Sequence, residues 1–548
     1  MNMTVVLQVV RRKMDAALVI RNADVVTSDA VRRADVLVDN GRIVGVGPNL
    51  PVGSTARSID AEGKLLCPGF VDLHAHSALR PFDDPLLSAK VTQGFTTDLI
   101  CPDGLGPAPV SDTTVATRRR YLQGLEPSAA ARWHWRSMSS YLAALQEAGP
   151  ALNMASCVPH SAVRECVMGN ANRAPDQREM SEMKDLVAEC LAAGARAVSF
   201  GMIYAPGLYA GTDELLQIAE VAAEYNVPLI PHVRNEAEGV VDSISEFVRV
   251  AELTGAPLHV SHVKLVGVPH LLTALLDTLS SAQNRIRLTC DQYPYGAGST
   301  LLSALLPGYA FEGGPQATLE RLGDRTERDR MARDMHQGLP NWENLFGACG
   351  PDNIVITQAA APRTETMSQT VAQIAAETDS DPAFAVMDLL RDTELDACMI
   401  DHYSTETVVR EIFTSSGALV GSDGVFNPHP HPRLYGTAPR VLGRYALREK
   451  LITVTEAVRR LSTGPAQVLG LSDRGEIAEG KRADLVLIDP ASYIDTATYD
   501  HPHSQPPGVE LVTVGGVPVV EAGRHTGRRP GVVEGGAGTH NPAAGGAR

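Results

Sequence analysis

The sequence lacks several features that mark particular classes of protein. Its 548 residues carry 48 basic and 64 acidic side chains, a formal net charge of −16, so a nucleic-acid partner is not expected. The eight cysteines are scattered, and no CxxC pair occurs among them. This distribution indicates reduced thiols in a cytoplasmic protein rather than a disulfide framework.

No apolar run is long enough to span a membrane, so no membrane partner is expected. The first ten residues are apolar, but the basic residues Arg11 to Lys13 follow them, the reverse of a secretory signal. We expect residues 1–13 to be a disordered extension. The Gly-rich end of the chain, residues 531–548, lacks apolar periodicity and is also expected to be disordered.

Both ends of the remaining chain consist of short β-type runs joined by tight turns. Near the start, alternating runs flank Asn40-Gly41, and Asn-Gly between such runs is a strong hairpin signal. The far end has the same texture around Gly515-Gly516. Neither piece could bury a sheet face alone. We therefore predict that residues 14–67 and 478–530 combine into one small β-sandwich.

Between these ends, short apolar strands alternate with helix-length segments, which is typical of an α/β domain with parallel strands. Eight such strands predict a (β/α)8 TIM-type barrel over residues 68–477, with its active site at the C-terminal strand ends. A long gap before the last strand predicts an insertion around residues 300–400 that shapes the site. The predicted strands are 69–74, 95–101, 153–158, 196–201, 227–231, 257–261, 286–291 and 418–422.

The first barrel strand ends in two histidines that point the same way. Residues two apart on a strand share a face, so His74 and His76 aim at one point, and a divalent metal commonly occupies such a point. The pair alone could equally be two unrelated histidines. However, three more predicted strands end in His232, His262 and Asp423. Four imidazoles and a carboxylate at this end of a barrel match metal ligands plus a general acid/base.

Two other histidines have less clear roles. His259 lies an odd number of residues from His262 along the strand, so it should face away and be structural. His160 ends the third strand and either belongs to the site or holds its shape.

Several longer stretches carry more specific motifs. They are Gln93-Gly-Phe-Thr-Thr97, Ser199 to Ala210, His232-Val-Arg-Asn-Glu236, Ser261-His-Val-Lys264, Asp291-Gln-Tyr-Pro-Tyr295 through Gly298-Ser-Thr300, Gly421-Ser-Asp-Gly424 and His431 to Thr437. Together they resemble the amidohydrolase superfamily, and within it the N-acyl-D-amino-acid deacylase (D-aminoacylase) group. The resemblance runs from about residue 16 to 530. The DxYPY, SDG and HPR stretches are specific to this group, whereas HxH is not.

The resemblance implies one tightly held Zn²⁺ and a second, weaker metal position. His232 and His262 match the ligands of the tight site, and His74 and His76 match those of the weaker one. Asp423 matches the catalytic aspartate. Four further residues match groups at the substrate: Tyr293, Ser299 and Arg433 at its α-carboxylate, and Lys264 near the metals.

The ligand that bridges the two metals departs from the family pattern. Where well-known members have a cysteine in a Gly-Asn-Cys-Gly turn, this sequence has Asp103 followed by Gly104, while Cys101 lies two residues earlier. Register favours Asp103, with Cys101 as the alternative. Because a carboxylate is harder than a thiolate, Mn²⁺, Co²⁺ or Ni²⁺ could compete better with Zn²⁺. The strand 196–201 contains no lysine, so the carboxylated-lysine bridge of some superfamily members is not expected.

We therefore expect a zinc-dependent amidohydrolase that cleaves N-acyl-D-amino acids to a carboxylate and a free D-amino acid. The metal would lower the pKa of bound water toward ~7, and Asp423 would act as general base and then general acid. Lys264 or Tyr295 would help to polarise the acyl carbonyl. The alternatives are a cyclic-amide hydrolase of the hydantoinase type and a non-catalytic assembly protein. The acyl group and side chain stay open, although an arginine of the insertion such as Arg363 could bind an acidic side chain.

Overall fold

The computed structural model of the chain describes residues 17–535. The predicted extension, residues 1–13, lies outside the described residues, as does the tail from residue 536. Residues 531–535 were placed in the disordered tail by composition, but they pack against the barrel. Val533 forms a β-bridge with Met154, and Glu534 binds Arg196 at 2.7 Å. These partners are distant in sequence, so composition alone could not indicate them.

The described strands form three sheets. In chain order they are β1 (Leu18–Val26), β2 (Val31–Asp39), β3 (Arg42–Gly47), β4 (Arg57–Asp60), β5 (Leu65–Pro68), β6 (Phe70–His76), β7 (Phe95–Ile100), β8 (Asn153–Pro159), β9 (Ala197–Gly201), β10 (Leu229–His232), β11 (Leu258–Val260), β12 (Leu288–Gln292), β13 (Ala297–Leu301), β14 (Ile354–Ala359), β15 (Ala397–His402), β16 (Leu419–Val420), β17 (Gly424–Val425), β18 (Leu485–Ile488), β19 (Val509–Val514), β20 (Val517–Glu521) and β21 (Arg524–His525).

Helices connect most of these strands. The α-helices are Arg80–Asp83, Ser88–Val91, Val115–Leu122, Met138–Ala148, His160–Met168, Gln177–Ala192, Thr212–Glu224, Val240–Thr254, Leu272–Gln283, Pro315–Gly323, Arg325–Gln337, Leu345–Cys349, Val371–Glu377, Pro382–Asp392, Glu406–Ser415, Arg433–Ala438, Val454–Val458 and Gly464–Val468. Pro439–Arg448 and Arg459–Thr463 are π-helical, and short 3-10 turns lie at Gly207–Tyr209, Pro269–Leu271, Leu302–Leu305, Gly308–Phe311, Pro351–Asn353 and Thr364–Thr366. None of the helices within residues 17–535 has the length and apolar character needed to cross a membrane.

The first sheet is built from both ends of the chain, as predicted. Strand β5 joins the two halves because it pairs in parallel with β1 and antiparallel with β18. The sheet continues through β2 and β3 on one side and through β19, β20 and β21 on the other. Side chains from both ends, including Ile20, Val36, Leu66 and Leu487, share one buried apolar cluster. The two ends therefore form one hydrogen-bonded unit with one core.

The second sheet is the predicted barrel. Strands β6 to β12 follow one another in parallel, and the eighth strand is split into β16, which pairs with β12, and β17, which pairs with β6. Ser422 and Asp423 lie in the gap between the two pieces. The eight strands predicted from apolar runs are confirmed, each bound falling within two residues of the observed one.

The insertion adds a third sheet at the barrel mouth. Strand β15 pairs antiparallel with both β13 and β14. Strands β13 and β15 were not predicted, and Asp324 separates the helices Pro315–Gly323 and Arg325–Gln337. That residue caps the helix Arg325–Gln337 by accepting the backbone N–H of Glu327. The insertion packs in an apolar cluster to which the barrel contributes Val266, Tyr293 and Tyr295, so the insertion is fixed against the barrel mouth.

Candidate active site

Four buried histidines converge at the C-terminal end of the barrel. His74 and His76 close β6, His232 closes β10, and His262 follows β11. The ring centroid of His262 lies 4.8 Å from that of His74 and 4.6 Å from that of His232. The parallel strands thus bring together imidazoles that are up to 188 residues apart in the chain (262 minus 74).

Asp103 lies between the two histidine pairs. Its Oδ2 is 3.3 Å from Nε2 of His74 and 3.4 Å from Nε2 of His76. Its Oδ1 is 3.5 Å from Nε2 of His262 and 3.9 Å from Nδ1 of His232. This is the position that a bridging ligand requires. Cys101, the alternative, is buried but belongs to none of the potential metal-ligand groups within residues 17–535.

The backbone around Asp103 is arranged to bring its carboxylate inward. Cys101 and Asp103 have φ values of +60° and +55°, in the left-handed region that non-glycine residues rarely adopt. Gly201, at the end of β9, passes so close that a Cβ there would lie 1.9 Å from the carbonyl oxygen of Asp103. Position 201 therefore requires glycine, which excludes a bridging lysine at this strand end.

The spacing of these atoms fits bound metal better than direct hydrogen bonding. Ligand atoms around a tetrahedral ion with bonds of about 2.0–2.1 Å lie roughly 3.3–3.4 Å apart, whereas N–H···O hydrogen bonds span about 2.7–3.2 Å. Both ring nitrogens of His232 and Oδ1 of Asp103 are buried without a hydrogen-bond partner, a costly state for a protein without a ligand there. Three groups of the described residues could each hold an ion, and two of them share Asp103: His74, His76, Asp103 and Asp423, and Asp103, His232 and His262.

Glu236 and Lys264 support the second group. Oε1 of Glu236 is 3.0 Å from Nδ1 of His262, and Nζ of Lys264 is 2.7 Å from Oε2 of Glu236. A carboxylate on Nδ1 leaves Nε2 free to face a metal. Burial alone would raise the pKa of Glu236, but Lys264 and the neighbouring histidines hold it at about 2. Sequence analysis did not assign Glu236 a role, although its position four residues after His232 was a usable signal.

Asp423 lies beside the first group. Its Oδ1 is 3.2 Å from Nε2 of His76, and its Oδ2 is 3.0 Å from Nη1 of Arg433. Burial opposes its ionisation, yet Arg433 and His74 hold the pKa of Asp423 far below its usual range. Its φ of +50° places it in the left-handed region. The carboxylate is thus anionic and fixed toward the histidines.

Arg433 is fully buried behind the cavity wall. Its Nη2 donates to the carbonyl oxygen of Ser299 at 2.9 Å, and its guanidinium lies 4.4 Å from the ring centroid of Tyr293. The Nε atom has no hydrogen-bond partner, so the guanidinium retains capacity for another acceptor.

A buried network beneath the histidines fixes the strand ends. Oδ1 of Asp72 accepts the backbone N–H groups of Ser422 at 2.7 Å and His74 at 3.1 Å. Lys90 binds Asp72 and donates to the Ser422 hydroxyl at 2.9 Å. The network therefore ties the first strand of the barrel to the split eighth strand.

A second support holds His262, whose φ is +31°. Oδ1 of Asp291 accepts its backbone N–H at 2.6 Å, while Oδ2 lies 2.8 Å from Nε2 of His259. His259 is therefore structural, as expected. His160 also holds shape, since its Nε2 lies 2.8 Å from Oε1 of Glu214, away from the metal-ligand groups.

A small cavity of about 30 Å³ lies in front of the histidines. Lys264, Tyr293 and Ser299, which the family motifs predict as substrate-binding residues, line it, and so do two unpredicted carboxylic acids, Glu343 and Asp401. The sequence offered no motif for either acid.

Two sequence-based assignments are corrected. Tyr295, proposed as an alternative group on the acyl carbonyl, lies outside the cavity wall, with its ring centroid 5.2 Å from that of His431. Arg363 also lies outside it, because Glu365 and Asp392 bind its guanidinium at 3.1 and 3.0 Å. The positions of both side chains depend on contacts in the folded chain, and the local sequence does not indicate these contacts.

A larger cleft, of about 600 Å³, lies on the other side of Glu126. Glu126 accepts the backbone N–H of Leu79 at 3.0 Å, and its other oxygen is 3.7 Å from Nδ1 of His76. None of the potential metal-ligand groups within residues 17–535 lies in this cleft. We therefore assign the chemistry to the smaller cavity.

A parallel barrel with clustered histidines and carboxylates at its strand ends defines a metal-dependent hydrolase. The chain belongs to the amidohydrolase family Amidohydro_3, which matches residues 57–520. It is 32% identical to an N-acyl-D-glutamate deacylase of Alcaligenes xylosoxydans xylosoxydans, over 89% of this chain and 90% of the relative. It is 31% identical to a D-aminoacylase of the same organism, over 91% and 93%.

A solved structure shares the fold over nearly its whole length. It is an N-acyl-D-glutamate deacylase of Bordetella bronchiseptica complexed with zinc and a phosphonate inhibitor that mimics the tetrahedral intermediate. The TM-score is 0.79 at 30% identity, and the match covers 95% of this chain and 99% of that one.

Proposed function

We propose that the protein is a zinc-dependent deacylase that hydrolyses N-acyl-D-amino acids to a carboxylate and a free D-amino acid. The observation that carries this proposal is the placement of Asp103 between two histidine pairs, with anionic Asp423 beside them. A divalent metal held by His232, His262 and Asp103 would supply a water of lowered pKa and polarise the amide carbonyl.

Asp423 is the proposed proton carrier. It would accept the proton of the attacking water and return it to the leaving amine, which must be protonated to depart. The Arg433 guanidinium, 3.0 Å away, keeps the carboxylate charged and therefore ready to act first as a base. Lys264, on the cavity wall, would stabilise the negative charge that develops on the carbonyl oxygen.

The substrate α-carboxylate is proposed to bind beside Tyr293 and Ser299. The Ser299 hydroxyl is buried without a partner, which suits a donor awaiting an anion. Arg433 lies directly behind these residues and is the one arginine close enough, among those described, to contact both Asp423 and Ser299. Its planar fork suits a two-pronged contact with a carboxylate.

Further features of this proposal concern the metal and the substrate class. His74 and His76 would hold a second, weaker ion, and the hard ligand Asp103 would let Mn²⁺, Co²⁺ or Ni²⁺ compete with Zn²⁺. A cyclic-amide substrate is disfavoured because no lysine can reach the metals from Gly201.

We also propose that the protein works in the cytoplasm.

The test is hydrolysis of paired D and L N-acetyl amino acids by chelator-treated protein to which Zn²⁺, Mn²⁺ or Co²⁺ is restored. We expect metal-dependent release of D-amino acids and little release of L-amino acids. Equal rates on both enantiomers would remove the stereochemical part of the proposal. Absence of turnover by protein that holds metal would contradict the deacylase assignment.

A further inference from the structure

One part of the cavity wall, contributed by the insertion, is acidic. Glu343 immediately precedes Asn344, which caps the helix Leu345–Cys349, and Asp401 lies on β15. The two residues are 3% and 4% exposed. Both line the same cavity as the metal-ligand groups, so a substrate held there would meet them.

No cation within residues 17–535 forms an ion pair with either acid. The two cations nearest to them are already paired, since Lys264 binds Glu236 at 2.7 Å and Arg433 binds Asp423 at 3.0 Å. These pairs leave Glu343 and Asp401 as acids of the wall without a cationic partner within residues 17–535.

Glu343 also keeps an unused acceptor. Its Oε1 accepts the backbone N–H of Glu236, but its Oε2 is buried without a hydrogen-bond partner. A buried acceptor in this state destabilises the protein unless a ligand satisfies it.

The ionisation of both acids is suppressed in the absence of a ligand. Burial, together with Glu236, raises the pKa of Glu343 to about 8. Burial also raises the pKa of Asp401 to about 7, against the opposing effect of Lys264 and Arg433. A cation brought between them would favour both charged forms.

We propose that Glu343 and Asp401 form the side-chain subsite and select N-acyl-D-amino acids with a cationic side chain, such as D-arginine or D-lysine. This inference rests on the proposed deacylase function and names its substrate class. An anionic side chain in the same place would meet two carboxyl groups and no unpaired cation among the described wall residues. Such a contact is unfavourable.

The deciding comparison uses two substrates of almost the same shape. N-acetyl-D-arginine carries a cationic guanidinium, whereas N-acetyl-D-citrulline carries a neutral urea in its place. With metal-loaded wild-type protein, we expect kcat/KM for the arginine substrate to exceed that for citrulline by at least about 10-fold, since hydrogen bonds to charged groups are the stronger ones. A ratio of one or less would overturn the inference.

Substitutions of the two acids test whether they cause the preference for the arginine substrate. Glu343→Gln and Asp401→Asn should each lower the arginine-to-citrulline ratio of kcat/KM about 5-fold or more, and this ratio cancels any loss of activity common to both substrates. Glu365→Gln is the matched control, because Glu365 lies in the insertion but outside the cavity wall. An unchanged ratio in both cavity variants would overturn the assignment.

Two further readouts separate this inference from its alternatives. Glu343, Glu236 and His232 could together hold an ion. The metal content of Glu343→Gln is therefore measured. If this variant loses metal, Glu343 is a metal ligand and the proposed side-chain subsite is wrong. Binding of free D-arginine and D-citrulline by titration calorimetry does not depend on turnover. If neutral and cationic N-acetyl-D-amino acids all resist hydrolysis, the deacylase proposal fails, and the calorimetric preference still decides whether the subsite exists.

Discussion

The two walls of the cavity differ in how their side chains are held. The barrel wall consists of strand ends that buried carboxylates brace from below, such as Asp72 under His74 and Asp291 under His262. The insertion wall presents Glu343 and Asp401, neither of which has an ion-pair partner within the described part of the chain.

From this difference we expect the barrel wall to position the reacting groups and the insertion wall to discriminate between substrates. Asp103, His262 and Asp423 all have positive φ values, an unfavourable backbone state that persists only where surrounding contacts enforce it. Such enforcement fixes ligand geometry for any substrate. Most of the apolar residues that pack behind the insertion wall belong to the insertion itself, and Val266, Tyr293 and Tyr295 join them from the barrel. Changes to the metal-ligand positions or to Asp423 should therefore affect every substrate equally, and insertion-wall changes should alter the ranking of substrates.

The largest expected effect is at the bridging position. Asp103→Ala removes the carboxylate that lies between both histidine pairs, so the protein should lose most bound metal and at least about 10³-fold in activity on every substrate. Metal content by mass spectrometry and turnover are the measurements. Cys101→Ala is the control and should keep wild-type metal content; metal loss in that variant instead would transfer the bridging role to Cys101.

Asp423→Asn should have the next largest effect. The neutral amide cannot accept a proton, so kcat should fall about 10²–10⁴-fold, whereas the histidines and Asp103 should still bind metal. Steady-state kinetics and metal content test this together. Asp352→Asn, at an exposed aspartate that does not line the cavity, should behave as wild type. Near-normal turnover by Asp423→Asn would remove that residue from the mechanism.

Arg433→Lys should have a smaller effect, concentrated in KM. Lysine keeps the charge but cannot form the two-pronged carboxylate contact, so KM for an N-acetyl-D-amino acid should rise about 10-fold or more. The corresponding N-acetyl-D-amino-acid amide, which lacks the carboxylate, should show little change between variant and wild type. If only kcat falls, and for both compounds alike, Arg433 acts through Asp423 rather than on the substrate.

Glu456→Gln probes a support outside the cavity and should have the smallest effect. Hydrogen bonds from Arg459 and Arg460 hold the pKa of Glu456 at about 2, below its usual 4.5, and Arg460 also donates to the carbonyl of Ala418 at 3.2 Å, just before β16. Because the folded-state pKa is lowered, this stabilisation is complete above pH ~4.5 and is lost as pH falls toward ~2.

The variant should melt about 1–2 °C below wild type at pH 7, with the gap narrowing below pH 4.5. Melting curves by circular dichroism at several pH values measure it. Glu182→Gln, which disrupts an exposed pair with Arg178, should shift the melting temperature less. A gap that widens on acidification would show that the charge of Glu456 does not brace this strand.

Much of the barrel could be predicted from the sequence, because apolar runs and side-chain periodicity are local features of the chain. Apolar runs predicted all eight strands, and the two-residue period of β6 placed His74 and His76 on one face. Parallel strands then bring their C-terminal ends together whatever their separation in the chain, which is why His232, His262 and Asp423 could be grouped with them. Asp103 followed from register with the family motif.

The strands of the insertion could not be predicted in this way, because they form by pairing with segments that are distant in the sequence. The segment Ala297–Leu301 contains Gly298 and small polar residues, with little intrinsic strand preference; it is a strand because β15 pairs with it residue by residue. That pairing sets Gly298 opposite Asp401, where a Cβ on the glycine would lie 2.6 Å from the carboxylate. Local pattern carried no information about this contact.

Local periodicity and strand order predicted the fold class, and the family motifs predicted the metal ligands and the chemistry. Only the tertiary structure decided that Arg363 is bound elsewhere, that Tyr295 faces away, and that Glu343 and Asp401 enter the cavity. A charged side chain is held in the position where it meets its ion-pair and hydrogen-bond partners. In the insertion those partners come from distant segments that only the folded chain brings together.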